Sequence, residues 1–352
     1  MKGVILHGGA GTRLRPLTYT DVKQLLPLAG KPVSEYILSN LIDLGIDEVN
    51  IVLGEVGHNE VQGYYGDGSK WGIHVSYTYQ GKPLGIAHAI GMVRNFVKDD
   101  DFVVALGDNY FHNGFEVLSR DFEEQGKEAY IAITEVPNPR QFGVAELSGE
   151  KITKLVEKPK NPRSKFAITG VYFLRKSVFP FIDSLKPSSR GELEITEVFQ
   201  KMIDAGMEIG YSVISGWWKD TGTPEEFLSC NRMALEGLVS KGVGKNGTYS
   251  KAYMGENVTI DSRSKISGPC YIGSGSRIVN SSIGPYTSIG RNCRLEDCNV
   301  ENSVIMDDVS ILIDQSLKVK DSIVGSASVI KPNGAGEKSL RVIIGRDSKI
   351  EV

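Results

Sequence analysis

Between residues 260 and 329 an aliphatic side chain returns every five or six positions: Ile260, Ile266, Ile272, Ile278, Ile283, Ile289, Leu295, Val300, Ile305, Ile311, Leu317, Ile323, Val329. Glycine follows several of them, as in Ile272-Gly273, Ile283-Gly284 and Ile289-Gly290. This is a hexapeptide repeat, the pattern of a parallel β-helix. One turn of such a helix cannot bury its apolar face alone, so stacked turns must share a core. The repeat fixes the architecture of the C-terminal third before any other residue is read.

Upstream the pattern is different. Residues 1 to about 235 alternate apolar runs with helical periodicity, which predicts an α/β, mostly parallel sheet covered on both faces. Strands are expected at Val4–Leu6, Val49–Leu53, Val75–Tyr79, Phe102–Leu106, Ala129–Thr134, Ile152–Val156 and Ile168–Leu174. Helices are expected at Val33–Leu44, Leu84–Asn95 and Leu193–Ala205. In the first helix Glu35, Ser39 and Asp43 are expected on the wet side, with Tyr36, Leu38, Leu41, Ile42 and Leu44 inward. Helical periodicity stops after Gly237, and Gly242-Val243-Gly244-Lys245-Asn246-Gly247 reads as a linker. The expected division is 1–240 and 248–352, consistent with two domains in 352 residues. Beyond Ile330, Pro332 to Lys338 reads as a loop leaving the repeat, and Ser339–Ile344 as a closing strand.

The first strand runs into Gly8-Gly9-Ala10-Gly11-Thr12-Arg13-Leu14-Arg15-Pro16-Leu17, with Lys23 shortly beyond. Three glycines within four residues let backbone N–H groups approach a ligand with no Cβ in the way. Arg13, Arg15 and Lys23 add positive charge and fork-shaped donors, which suits a polyphosphate. A glycine cluster alone would be no more than a tight turn. A dinucleotide fingerprint is excluded, because Leu14 stands where its third glycine would open a helix. A P-loop is excluded too, since no Gly-Lys-Ser/Thr follows.

Five further stretches carry candidate chemistry, several of them at strand ends, where such sheets bind ligands. Tyr79-Gln80-Gly81-Lys82-Pro83-Leu84-Gly85 ends a strand in an amide that both donates and accepts, as a nucleobase edge requires. It is equally an ordinary strand-to-helix loop. Leu106-Gly107-Asp108-Asn109 ends a strand in a carboxylate that either caps the turn or holds a hard cation. Phe142-Gly143-Val144 offers a close-approach point. Glu157-Lys158-Pro159 is a surface ion pair or a hydroxyl-and-phosphate recognition pair. Acids at the start of Ser189-Arg190-Gly191-Glu192-Leu193-Glu194-Ile195-Thr196 are also what a helix dipole favours.

Taken together these stretches resemble the sugar nucleotidyltransferases. The matching pieces are Gly8 to Thr18, Lys23-Gln24-Leu25-Leu26-Pro27, Lys31-Pro32, Gln80 with Gly85, Leu106 to Asn109, Phe142 to Val144, Glu157 to Pro159, Arg190 to Thr196 and Trp217-Trp218-Lys219-Asp220. In order and spelling they are most similar to the glucose-1-phosphate thymidylyltransferases in their long form. His7 is a departure, because a small residue more often precedes the glycines; a packing variation is expected. The resemblance implies a Rossmann-like catalytic domain followed by a left-handed β-helix. It implies that Gly8, Gly9, Gly11, Thr12, Arg13, Gln80 and Gly85 bind the nucleotide. It places Asp108, Gly143, Glu157, Lys158 and Tyr172 around the sugar phosphate, with Arg13, Lys23 and Lys158 carrying catalysis. Asp108 and Asp220 would hold Mg²⁺.

The implied reaction joins dTTP and glucose 1-phosphate into dTDP-glucose with loss of pyrophosphate. Transfer from UTP to glucose or N-acetylglucosamine 1-phosphate, or from GTP to mannose 1-phosphate, is the alternative. A non-catalytic subunit binding a sugar nucleotide is a second, opposed by the presence of Arg13, Lys23, Asp108, Lys158 and Asp220. The left-handed form of the repeat resembles hexapeptide acyltransferases, whose base is a histidine. All five histidines (His7, His58, His74, His88, His112) precede the repeat, so the C-terminal part is expected to stiffen, regulate or form a homo-oligomer. A net charge of −3 gives no basic field for nucleic acid. Cys230, Cys270, Cys293 and Cys298 lack Cys-x-x-Cys spacing and read as reduced thiols. With no leader and no bilayer-length apolar run, a cytoplasmic protein with no membrane partner is expected.

Overall fold

The computed structural model describes residues 1–214, 218–240, 249–314, 317–331 and 339–351. Trp217, the Gly242–Gly247 linker and Pro332 to Lys338 lie outside them. The chain divides into two compact units, Met1–Gly9 with Ser34–Trp218, and Ala10–Val33 with Lys219–Val352. Residues 10–33 therefore group with the C-terminal part.

Nine strands build the sheet of the first unit: β1 (Lys2–His7), β2 (Glu48–Gly54), β3 (His74–Gly81), β4 (Phe102–Leu106), β5 (Ala129–Glu135), β6 (Gly143–Ser148), β7 (Lys151–Glu157), β8 (Phe166–Leu174) and β9 (Ile209–Val213). Their order is β7-β6-β8-β4-β1-β2-β3, with β5 on the other edge of β8 and β9 beyond it. β4, β1, β2 and β3 are all parallel. β8 runs against them, meeting β6 through Phe166–Ala167 and β4 through Val171–Leu174. Buried parallel strands need apolar residues on both faces, and Val4, Ile5, Val103, Val104 and Ala105 are fully buried. All seven expected strands of this part form.

Six of the chain's helices matter here: α1 (Val33–Asp43), α2 (His58–Tyr65), α3 (Ile86–Met92), α4 (Glu116–Gln125), α5 (Ile195–Asp204) and α6 (Pro224–Ser240). α3 and α5 lay Ala87, Ile90, Val198, Phe199 and Met202 into one core with Val4, Val104, Ile131 and Tyr172. The expected wet face of α1 is only partly wet. Asp43 is exposed, but Glu35 is buried and its Oε2 accepts a hydrogen bond from the Tyr64 hydroxyl. The cause is α2, a polar helix without a strong apolar stripe, which brings Tyr64 and Tyr65 against α1. Ser34 Oγ and the Tyr65 hydroxyl lie 2.6 Å apart.

In the second unit the repeat forms three parallel sheets of short strands, holding six, six and five strands. This is a parallel β-helix. Ile272 pairs with Ile289, Ile278 with Leu295, and Ile283 with Val300. After Ile311 the inward column departs from the expected spacing. Val319, Val324 and Ile330 stand over Val300, Ile305 and Ile311, instead of Leu317, Ile323 and Val329. The longer connection around Asp314 shifts the count. The tail also rejoins the helix: Ser339, Ile343 and Lys349 pair with Lys318, Ile323 and Val329. Among the described residues the four cysteines are free and buried, and no helix is long and apolar enough to cross a membrane.

Candidate active site

Gly8 follows the end of β1, and Gly85 caps the start of α3. β1 delivers Gly8 beside the end of β3, so close that a Cβ on Gly8 would stand 2.9 Å from Gln80 Oε1. The Gln80 amide donates to the Gly85 carbonyl (3.2 Å) and to His88 Nδ1 (3.0 Å), which fixes its plane. Gly9 is exposed. Gly85 has φ +106°, and a Cβ there would meet the Leu193 carbonyl oxygen at 2.4 Å. Its glycine is thus demanded by the chain itself, because Leu193 donates to the Leu84 carbonyl at 2.8 Å and crosses directly over it.

β7 ends in Glu157, and Lys158 follows in the left-handed region at φ +40°. Lys158 Nζ lies 3.7 Å and Arg190 Nη1 3.4 Å from Glu157 Oε1. Thr196, in the first turn of α5, donates to Glu157 Oε2 at 3.2 Å. Arg190 also pairs with Glu192 at 3.0 Å and with buried Glu194 at 3.1 Å. Burial and the neighbouring Glu194 carboxylate raise the Glu157 pKa, against the pull of Lys158 and Arg190. Gly143 leaves no space for a side chain, since a Cβ would stand 2.5 Å from Thr196 Cγ2. Tyr172 is buried in the core, ring-to-edge on Phe199 at 5.7 Å, and burial raises its phenol pKa.

β4 presents Asp108 half-buried, its Oδ1 accepting from the Asn109 side chain at 2.8 Å. Asn109 is buried and its Oδ1 in turn accepts from Trp218 Nε1 at 2.6 Å. Gly170 has no room for a side chain on that side, since a Cβ would stand 2.4 Å from Asn109 Oδ1. The sequence marked Asp108 as chemistry but gave no sign that Asn109 and Trp218 brace it. His7 packs behind, 2% exposed, with neither ring nitrogen hydrogen-bonded to any of the described residues. Burial pushes its pKa down to about 3, with Asp108 opposing.

The second unit carries the rest. Gly11 is left-handed (φ +61°), and Thr18 Oγ1 donates to its carbonyl at 2.8 Å. Leu14 N donates to the same oxygen at 2.9 Å, closing the turn that carries Thr12 and Arg13. Both are exposed. Arg13 Nη2 lies 3.9 Å from Asp220 Oδ2. Arg15 stacks over Tyr19 at 4.8 Å, while Lys23 is buried beneath the loop. The structure thus brings Gly8 to Gln80, Glu157 to Lys158, and Arg13 to Asp220.

A mostly parallel nucleotide-binding sheet, a glycine turn edged by arginine and strand-end carboxylates define a class of phosphate-transferring enzyme. The family described as Nucleotidyl transferase matches residues 2–237, and the chain belongs to that family. Among the relatives that span the full chain are two nucleotidyltransferases. One is the low-salt glycan biosynthesis nucleotidyltransferase Agl11 of Haloferax volcanii, 42% identical over 100% of both chains. The other is the glucose-1-phosphate thymidylyltransferase of Streptomyces griseus, 38% identical over 100% of this chain and 99% of its own. Among solved structures, a Bacillus anthracis protein assigned as a glucose-1-phosphate thymidylyltransferase aligns with a TM-score of 0.63 at 38% identity. That alignment covers 66% of this chain and 95% of the other.

Proposed function

We propose that this enzyme joins dTTP to glucose 1-phosphate, giving dTDP-glucose and pyrophosphate, with residues 1–240 catalytic and 248–352 supporting them as a β-helix. The observation that supports this most is the pairing of Glu157 with Lys158 at 3.7 Å. A carboxylate suits sugar hydroxyls and an ammonium suits a phosphate monoester. The name of the Streptomyces griseus relative points to the same substrates.

In this reading a sugar-phosphate oxygen attacks the α-phosphorus and the bond to pyrophosphate breaks. Both reactants are anions, so the residues must offset repulsion and align them. Lys158 holds the incoming phosphate; Glu157, Gly143 and Tyr172 shape the sugar end. Gly8, Gly9, Gly11 and Thr12 offer backbone N–H groups to the triphosphate. Gln80 reads the base edge, with Gly85 setting the loop. Arg13 and Lys23 neutralise charge that builds on the phosphates. The donors fit Mg²⁺, a hard cation usually held by one or two carboxylates plus phosphate oxygens. Asp108 in the first unit and Asp220 in the second offer such carboxylates. When bound, the ion supplies charge neutralisation and polarises phosphate oxygens.

The test is a panel of dTTP, UTP and GTP against glucose 1-phosphate and other sugar 1-phosphates with Mg²⁺, following pyrophosphate. Fastest release from dTTP with glucose 1-phosphate is the expected result. A preference for UTP or GTP moves the specificity, and nucleotide binding without pyrophosphate release overturns the catalytic reading.

A further inference from the structure

We infer that Arg346, in the last part of the β-helix, is a positioning residue that holds the Gly11–Arg13 turn in its triphosphate-binding shape. The inference rests on the function proposed above for that turn.

Three hydrogen bonds close a ring between the β-helix and the loop. The Arg346 backbone N–H donates to Thr20 Oγ1 (3.2 Å), Thr20 Oγ1 donates to Asp21 Oδ2 (2.9 Å), and Arg346 Nη2 donates to Asp21 Oδ1 (2.6 Å). The Asp21 side chain is 12% exposed and the Arg346 side chain 48%, so the pair is open to solvent on the arginine side and its hold on the loop comes from the closed ring rather than from charge alone. Next to it Gly345 lies so near the Pro16 carbonyl oxygen that a Cβ would stand 3.1 Å away.

The β-helix side of the ring is hydrogen-bonded into the stack. The Gly345 carbonyl accepts from Ser328 Oγ (3.0 Å) and Ser348 Oγ (2.9 Å), and Ser328 is fully buried. On the loop side the contact is passed inward. Tyr19, Thr20 and Asp21 donate their N–H groups to Pro16 and Leu17. Thr18 then donates to Gly11, whose Cβ position Thr18 already fills at 2.8 Å. Gly11 opens the turn that carries Arg13.

The far end of the loop is tied as well. Ala29 N donates to Asn231 Oδ1 (3.0 Å), which also accepts from Ser288 Oγ of the β-helix (2.7 Å). With that end fixed, removing the Arg346 guanidinium frees the Asp21 carboxylate while the Arg346 N–H stays on Thr20, and the loosening is directed at the glycine turn.

A loop that is competent only part of the time weakens apparent affinity by that fraction and leaves turnover of the bound complex unchanged. The experiment compares Arg346→Ala, Arg346→Lys and the exchanged pair Asp21→Arg with Arg346→Asp in the full chain. Arg346→Ala is expected to raise the triphosphate KM about tenfold, with kcat and the sugar-phosphate KM within twofold. Arg346→Lys and the exchanged pair are expected to recover most of the loss. An unchanged triphosphate KM, or a fall in kcat at constant KM, overturns the inference. Hydrogen exchange at Leu14, Arg15, Tyr19, Thr20 and Asp21 gives a readout independent of activity. Faster exchange in Arg346→Ala, with Val103 and Val104 unchanged, supports the clasp; equal exchange overturns it. If wild type releases no pyrophosphate in the panel above, the proposed function fails while the exchange result still decides the clasp.

Discussion

Arg13 Nη2 and Asp220 Oδ2 lie 3.9 Å apart, joining a residue of the glycine turn to one that follows Trp218-Lys219 two hundred residues later. More than half of the Arg13 side chain is exposed, so the pair is loose and the guanidinium is available to an incoming anion. The carboxylate keeps it pointed without neutralising it in a buried pair.

Arg13→Ala should therefore lower kcat/KM by about 10²–10³-fold, the scale of one lost transition-state donor. Steady-state pyrophosphate release reads this directly. A loss under threefold removes Arg13 from the chemistry.

Lys158→Ala should act on the other substrate. With the ammonium gone, Glu157 keeps Arg190 and Thr196, so the local fold survives. The KM for the sugar phosphate is expected to rise more than tenfold while that for the triphosphate stays within twofold. Equal changes in both would show that Lys158 has no preference for the sugar end.

His7 predicts an acid sensitivity. The unfolded chain takes up a proton near pH 6.5, whereas the folded chain resists until about 3. Stability is therefore lost as pH falls through that window, by about 2 kcal/mol at pH 5 for this residue alone. Urea midpoints at pH 7 and pH 5 measure the fall, and His7→Gln should show a smaller one. The same fall in both proteins would assign the effect to other groups.

Gly85→Ala tests whether that glycine serves the chain. The backbone at φ +106° and the Leu193 carbonyl oxygen 2.4 Å from the new Cβ both oppose a side chain. The substitution should destabilise the protein by about 1–3 kcal/mol from backbone strain alone, seen as a lower melting temperature without ligand. A wild-type melting temperature with weakened nucleotide binding would mean the side chain meets the ligand instead.

The strands were legible because a parallel strand buried on both faces must be continuously apolar, as Val103–Leu106 is. α2 was not, because His58–Tyr65 carries little apolar periodicity, and its tyrosines are what bury Glu35. The hexapeptide spacing revealed the β-helix but miscounted after Ile311, since a rule based on position has no way to see a longer corner. Among the proposed site residues, short motifs pointed to Gly8, Gln80, Asp108 and Glu157. The brace of Asn109 by Trp218 and the clasp of Asp21 by Arg346 have no local signature. Each joins residues more than a hundred positions apart through a single side-chain contact.

Arg346 reaches back 325 positions to Asp21. During synthesis at about 5–20 residues per second, the glycine turn emerges first and waits on the order of 16–65 seconds for the residue that clasps it. A nascent chain cut short before Arg346 would carry every side chain proposed above for catalysis and still lack the clasp on Asp21.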